Sequence, residues 1–333
     1  MIYTHVHDIV TDDVVLELPG FLSRARTFLK LEGLNPAGSV KLKTAVALVE
    51  SAERAGRLGP GSRVIESSSG NLGIALAQVC AAKRIPLTVV TDPNANRQSV
   101  RIMESLGADV VVVQERDANG GYLGTRIALI VDRLAADPGL VWLNQYANPA
   151  GPAAHRDRTA AALHRQLPHL DALFVGVGTS GTAMGCVEYY RTHSPGTRLY
   201  AVDSEGSVTF GGPAGARHIP GLGTSRRPEL FRDEGHFTKV VVPEADAVRM
   251  CRRLAREHGL LVGGSTGTVL AAVRRTAHLL PDSARIAAIS PDLGERYLET
   301  VFCDAWVRTH FPALRLDAPG GHRADTAPAV AAP

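Results

Sequence analysis

The stretch Arg63-Val64-Ile65-Glu66-Ser67-Ser68-Ser69-Gly70-Asn71-Leu72-Gly73 decides how the rest of the chain is read. A short run rich in β-branched residues passes through three hydroxyls and a glycine into an apolar segment with the look of a helix. A strand feeding a helix through a tight polar turn is half of a βαβ unit. The turn gathers hydroxyls, an amide and unpaired helix-start N–H groups at one spot, and such a nest suits a carboxylate.

The same alternation extends outward in both directions. A helix is predicted from Lys41 to about residue 57, stopped at Gly59-Pro60-Gly61, with further strands at 87–90, 109–113 and 141–143 and helices between them. A second series of strands starts at 171–175 and continues at 199–202, 239–242 and 285–289. The pattern predicts an α/β fold in two lobes, with mostly parallel sheets flanked by helices. Asn148-Pro149-Ala150-Gly151-Pro152 reads as the crossing between lobes, because Pro and Gly end both helices and strands. From residue 316 on, Pro, Gly and Ala dominate without apolar periodicity, so 316–333 is expected to be a disordered tail.

Composition narrows the class. A length of 333 residues suggests two domains or one large α/β unit with an insertion, and 45% hydrophobic with 21% charged residues describes an ordinary globular protein. The net charge of +3 is small and the basic residues form no run, so no nucleic-acid partner is expected. The apolar uncharged stretch 260–273 has the length of a buried core helix and is too short to span ~30 Å of hydrocarbon, so no membrane partner is expected either. His5, His7, Asp8, Asp12 and Asp13 stand where a secretory signal needs an apolar core, which points to the cytoplasm. Cys80, Cys186, Cys251 and Cys303 lie more than fifty residues apart, so they form no metal motif or disulfide framework; no metal is expected.

Lysine is scarce, five copies against thirty-one arginines, and one of the five closes Asn35-Pro36-Ala37-Gly38-Ser39-Val40-Lys41 at the mouth of the first helix. Arginine does not deprotonate at usable pH, whereas lysine is tunable to a neutral amine that condenses with an aldehyde. Lys41 is the candidate catalytic and Schiff-base residue. Lys43, the rival amine, falls on a different face of the helix.

Gly176-Val177-Gly178-Thr179-Ser180-Gly181 follows a strand and opens a helix, with a second strand ending at Asp203. Taken alone this fits a dinucleotide, with Asp203 on the ribose. It fits the phosphate of pyridoxal 5′-phosphate equally, with Thr179, Ser180 and Thr182 adding donors. A second hydroxyl turn, Gly263-Gly264-Ser265-Thr266-Gly267, follows Leu261-Val262. A nicotinamide site has no use for a reactive lysine plus two such turns, while a pyridoxal site needs each of them.

On these residues the chain resembles the cysteine synthase and cystathionine β-synthase family of pyridoxal-phosphate enzymes, fold type II (tryptophan synthase β-like), over about residues 10 to 310. Pro36-x-x-Ser39-Val40-Lys41 matches the Schiff-base motif, Ser68-Ser69-Gly70-Asn71 the substrate-carboxylate loop, Gly178-Thr179-Ser180-Gly181-Thr182 the phosphate loop, and Gly264-Ser265 the site of the pyridine nitrogen. The resemblance implies that Asn71 meets the cofactor's ring hydroxyl and Gln145 the substrate carboxylate. It also implies a homodimer, a large cofactor-binding domain (1–41 and 148–315), and a small mobile substrate domain (42–147). Gly294-Glu295-Arg296-Tyr297 matches the family's closing segment and receives a structural reading.

Two departures from cysteine synthase bear on substrate. Leu72 replaces the usual second threonine of the carboxylate loop, and Arg217-His218-Ile219-Pro220-Gly221 replaces the usual His-Lys-Ile-Gln-Gly. Arg217 is expected to receive a leaving phosphate, and Arg126, with Tyr146 nearby, the carboxylate of an incoming nucleophile. The strings Glu66 to Gly73 and Ile219 to Gly223 look most like the branch that joins O-phospho-L-serine to L-glutamate through an aminoacrylate, on the way to 2,3-diaminopropionate for a siderophore or peptide antibiotic. The competing readings are a cysteine synthase or O-phosphoserine sulfhydrylase that uses sulfide, and, more remotely, an NAD-dependent dehydrogenase.

Overall fold

The computed structural model describes residues 2–118 and 120–316, so the tail expected at 316–333 lies, beyond its first residue, outside the described residues. The chain begins with β1 (Val15–Glu17) and β2 (Arg26–Leu31), then α1 (Lys41–Arg54), β3 (Arg63–Ser67), α2 (Asn71–Lys83), β4 (Leu87–Thr91), α3 (Arg97–Ser105), β5 (Asp109–Val112), α4 (Leu123–Ala136) and β6 (Leu140–Trp142). It continues with α5 (Ala150–Ala154), a π-helical turn (His155–Ala160), α6 (Ala161–Gln166), β7 (Ala172–Gly176), α7 (Gly181–His193), β8 (Arg198–Ser204) and β9 (Thr238–Val242). α8 (Glu244–His258), α9 (Gly264–Thr276), β10 (Arg285–Ser290) and α10 (Asp304–His310) complete it.

Two sheets result. One has six strands in the order β1-β2-β10-β7-β8-β9, the other four in the order β5-β4-β3-β6. All pairings are parallel except β1 with β2. Parallel strands buried on both faces need continuous apolar runs, and Ala172–Gly176 and Arg285–Ser290 supply them. The uncharged stretch read as a core helix is α9, in which Gly264 to Val273 are all buried.

The eight strands read from sequence are present within a residue or two of their expected ends, and the helix after Lys41 stops at Arg54 instead of near residue 57. Two strands escaped the reading. β2 carries Lys30 among Phe28, Leu29 and Leu31, which breaks an apolar strand signature, yet Lys30 is fully buried because its Nζ sits 2.9 Å from Glu32 Oε1. β1 is three residues long and pairs only with β2. The crossing at 148–152 also differs: Pro149 precedes α5 and Pro152 lies in its first turn, where a missing N–H breaks no helical bond. Pro here starts a helix instead of ending one.

Candidate active site

A cavity of about 300 Å³ opens at the carboxyl ends of β3, β7 and β10, where α/β sheets collect ligands. Lys41, the first residue of α1, lines it. Burial pushes the Lys41 amine down to about 8, opposed by the negative charge of Asp292. A lysine near 8 has an appreciable neutral fraction at cellular pH, as a nucleophile and proton carrier requires.

Lys43 points elsewhere. It is buried, its Nζ lies 2.7 Å from Glu32 Oε2 and 2.5 Å from Asp12 Oδ1, and it donates to Thr159 Oγ1 at 3.1 Å. The π-helical turn brings Thr159 and His155 onto one side, where His155 Nε2 meets Thr44 Oγ1 at 2.9 Å. Burial, with the charges of Lys41 and Lys43, holds His155 well below the usual imidazole value, so the ring is neutral.

Gly178, Thr179, Ser180, Gly181 and Thr182 all line the cavity, on the turn from β7 into α7. A Cβ on Gly178 would meet the carbonyl oxygen of Gly221 at 2.7 Å, so only glycine lets these loops approach each other. Ser180 holds a left-handed φ of 73°, unusual outside glycine, and its Oγ is buried without a hydrogen-bond partner. Strain of this kind, with an orphaned hydroxyl at a helix start, marks a cradle built for an anion. Ser265, buried at the start of α9, lines the same cavity. A reactive amine, an anion cradle and a neutral hydroxyl in one cavity fit pyridoxal 5′-phosphate. Asp203, the acid a dinucleotide reading needed on ribose, is buried at the end of β8, accepts from Ser204 N at 2.7 Å, and is not among the cavity-lining residues. That leaves the dehydrogenase reading without its ribose-binding acid.

Ser68, Ser69, Gly70 and Asn71 line the opposite side, between β3 and α2. Ser68 Oγ accepts from Gly73 N at 2.9 Å and Gly70 N at 3.3 Å, tying the loop to the first turn of α2 while leaving its own O–H to donate. Gln145 donates to Ser67 O at 2.7 Å and keeps a second N–H. Leu72 borders the cavity, but its side chain is 2% exposed and belongs to the apolar core beneath α2, so it shapes the wall and offers no polar contact.

Both arginines singled out in sequence reach the cavity. Arg126, on the first turn of α4, is buried with its Nε 3.4 Å from Asp92 Oδ2; that ion pair is its side chain's contact among the described residues. Tyr146 lies close enough that the Arg126 charge opposes the upward push of burial on its phenol. Arg217 donates from Nη1 to Leu222 O at 3.1 Å and leaves a buried Nε unpaired. Burial pushes this guanidinium below its usual value, opposed by the negative charges of Asp203 and Glu244.

Several site residues went unread in the sequence. Asp292, just past β10, is 1% exposed; its Oδ2 accepts from Asn71 Nδ2 at 2.7 Å and from Tyr297 OH at 2.6 Å, and its Oδ1 has no partner. Arg296, given only a structural reading, lines the cavity and donates from Nη1 to Asn71 Oδ1 and from Nη2 to Ala37 O at 2.6 Å. Glu66, at the end of β3, accepts from Ser67 N, Trp142 Nε1 and Gln145 N, and burial pushes its carboxyl up to about 7. It pins the carboxylate loop and the Gln145 segment to one strand end. Only its place before the serine run could have flagged it.

Residues 13–292 match the family model of pyridoxal-phosphate dependent enzymes. The chain is 43% identical over 288 residues to N-(2-amino-2-carboxyethyl)-L-glutamate synthase of Ralstonia nicotianae, an overlap covering 85% of this chain and 84% of the relative. It is 44% identical over 289 residues to the enzyme of the same name from Cupriavidus metallidurans, with the same coverage, 85% and 84%. Among solved structures it resembles O-ureido-L-serine synthase with O-ureido-L-serine bound, at a TM-score of 0.84 and 28% identity, covering 93% of this chain and 99% of that one.

Proposed function

Because the chain belongs to the pyridoxal-phosphate-dependent enzymes, we propose that its cavity replaces the phosphate of O-phospho-L-serine with the amine of L-glutamate, giving N-(2-amino-2-carboxyethyl)-L-glutamate and inorganic phosphate. The enzyme is a β-substituting synthase that works with pyridoxal 5′-phosphate. Bound there, the cofactor supplies the electron sink that makes an amino acid's Cα–H acidic and its Cβ substituent expellable.

The chain's own groups do the rest. Lys41 Nζ holds the cofactor, takes the Cα proton once released as a free amine, and returns it after substitution. Thr179, Ser180, Thr182 and the N–H groups opening α7 hold the cofactor phosphate, and Asn71 meets its ring hydroxyl. Ser265 would offer the ring nitrogen a neutral hydroxyl, which tempers the electron sink and suits β-replacement. Ser68, Ser69, Gly70 and Gln145 receive the amino acid's carboxylate, beside a wall formed by Leu72. Arg217 offsets the charge that develops on the leaving phosphate. Arg126 and Tyr146 orient a carboxylate of the incoming glutamate. The unit 42–147 closes on the substrate as the small domain of a homodimer, and a cytoplasmic location suits such a biosynthetic step.

The observation that carries the substrate reading is a pair of largely buried guanidiniums, Arg126 and Arg217, lining the same cavity as Lys41. Sulfide needs no guanidinium to orient it. Incubation with O-phospho-L-serine and a panel of amines and sulfide, followed by mass spectrometry, tests the reading: the glutamate adduct is expected, and cysteine without that adduct refutes it. Arg126→Ala is expected to raise KM for L-glutamate while sparing that for O-phospho-L-serine, and Arg217→Ala the reverse. Hydrogen exchange across 42–147 gains protection with substrate if the domain closes. Light scattering checks the dimer.

A further inference from the structure

Asn71 lines the cavity from the first residue of α2, and the assignment above gives it the cofactor's ring hydroxyl. A carboxamide offers two different faces, an acceptor oxygen and a donor nitrogen, and the two present opposite electrostatics to whatever they meet. Which face Asn71 turns is fixed by its partners across the sheet-to-sheet boundary. Arg296 Nη1 points at Oδ1, and a guanidinium only donates, so that atom is the oxygen. Asp292 Oδ2 stands 2.7 Å from Nδ2 and already accepts from Tyr297 OH at 2.6 Å, so the nitrogen lies on that side.

The clamp is itself held. Arg296 Nη2 donates to Ala37 O at 2.6 Å, in the segment leading to Lys41, and the Arg296 carbonyl accepts from Asn96 Nδ2 at 2.6 Å. Gly263 leaves room for Asp292: a Cβ there would fall 2.7 Å from Asp292 Cγ and 2.9 Å from Tyr297 Cε2. With Oδ1 held toward Arg296 and one N–H of Nδ2 given to Asp292, the nitrogen side of Asn71 keeps a second N–H to donate.

We propose that Arg296 and Asp292 are positioning residues that lock the Asn71 amide so that it presents a donor, never an acceptor, to the ring oxygen of the cofactor. The inference rests on the reading that Asn71 meets that oxygen. A donor there holds the oxygen in its ionised form, since a hydrogen bond to the charged form favours it. Without Arg296 the amide keeps only its bond to Asp292, so the donor is held less firmly toward the ring oxygen and the ionised form is favoured less.

The test strips the protein of cofactor and titrates it with pyridoxal 5′-phosphate, reading Kd and the visible absorption of the bound cofactor across pH. Arg296→Ala is expected to weaken binding about tenfold, the scale of one hydrogen bond to a charged group. It should also move the pH at which the visible band converts. Asn71→Ala should do the same, and the double variant should be no worse than Asn71→Ala alone. Losses that multiply in the double variant, or an unchanged Arg296→Ala protein, overturn the orienting role while leaving the Asn71 assignment standing. An unchanged Asn71→Ala protein overturns that assignment and this inference with it. If Arg296→Ala does not fold, Arg296→Lys, which keeps the charge but has one donor centre for two acceptors, is read against Asn71→Ala in the same way.

Discussion

Lys41 and Lys43 stand two residues apart on the first turn of α1, and their surroundings are opposites. Around Lys41 burial brings the amine down to about 8, opposed by the charge of a single acid, Asp292. Around Lys43 a knot of charge closes: Glu32 and Asp12 within 2.7 Å, Lys30 2.9 Å from the other Glu32 oxygen, and Arg158 2.9 Å from Asp12. The same side chain becomes a reagent where counter-charge is withheld and a rivet where it is supplied. Because successive helical residues point about a third of a turn or more apart, two positions along the chain suffice to separate the two fates.

Removing each lysine is the strongest way to break the comparison. Lys41→Ala should lower turnover at least ~10³-fold and abolish borohydride fixation of the cofactor, with no loss of Tm. Lys43→Ala should instead leave Glu32 and Asp12 short of a cation in a buried site and cost about 3 kcal/mol or more in denaturant unfolding, while borohydride still labels Lys41. Equal losses of fixation in the two variants would erase the distinction.

The pH dependence sharpens it. In cofactor-free protein, labelling of Lys41 by an aldehyde probe should rise with pH and reach half its maximum near 8, where the amine loses its proton. Lys43 should stay unlabelled throughout. The sign for stability follows: a lysine in the unfolded chain titrates near ~10.4, so between about 8 and ~10.4 the unfolded state binds the extra proton. Lys41 therefore opposes folding at pH below 8 and ceases to do so as pH rises through that window. Lys41→Met should flatten this part of the stability profile.

The smallest expected effect lies at the seam between the two regions. Thr159 Oγ1 touches both Lys43 Nζ and His155 Nδ1 at 3.1 Å. Thr159→Val removes one hydroxyl of similar volume and should cost about 1–2 kcal/mol, with cofactor fixation at Lys41 unaffected. A loss of fixation there would mean that the knot and the cavity act as one unit.

Much of this was legible in one dimension. Parallel strands buried on both faces announce themselves as apolar runs, and loops that hold a phosphate or carboxylate do so through contiguous glycines and hydroxyls. Lys41, Gly178 to Thr182, Ser265 and Ser68 to Asn71, which all line the one cavity, are therefore picked out by reading along the chain. β2 hid behind Lys30, whose burial makes sense only once Glu32 folds back beside it. Arg296 looked like part of a closing segment and Asp292 went unread, because the residue they grip, Asn71, lies more than two hundred positions away.

Sequence by itself determined the α/β alternation, the order of the cavity-forming loops and the lysine that opens into the cavity, because each is written in local pattern or in a short motif. Tertiary structure alone decided which lysine is neutralised by acids and which is left exposed to burial, and which way the Asn71 amide faces. Those outcomes depend on charges and donors brought together from distant parts of the chain. Electrostatic interactions act across space within a few ångströms, whatever the separation in sequence.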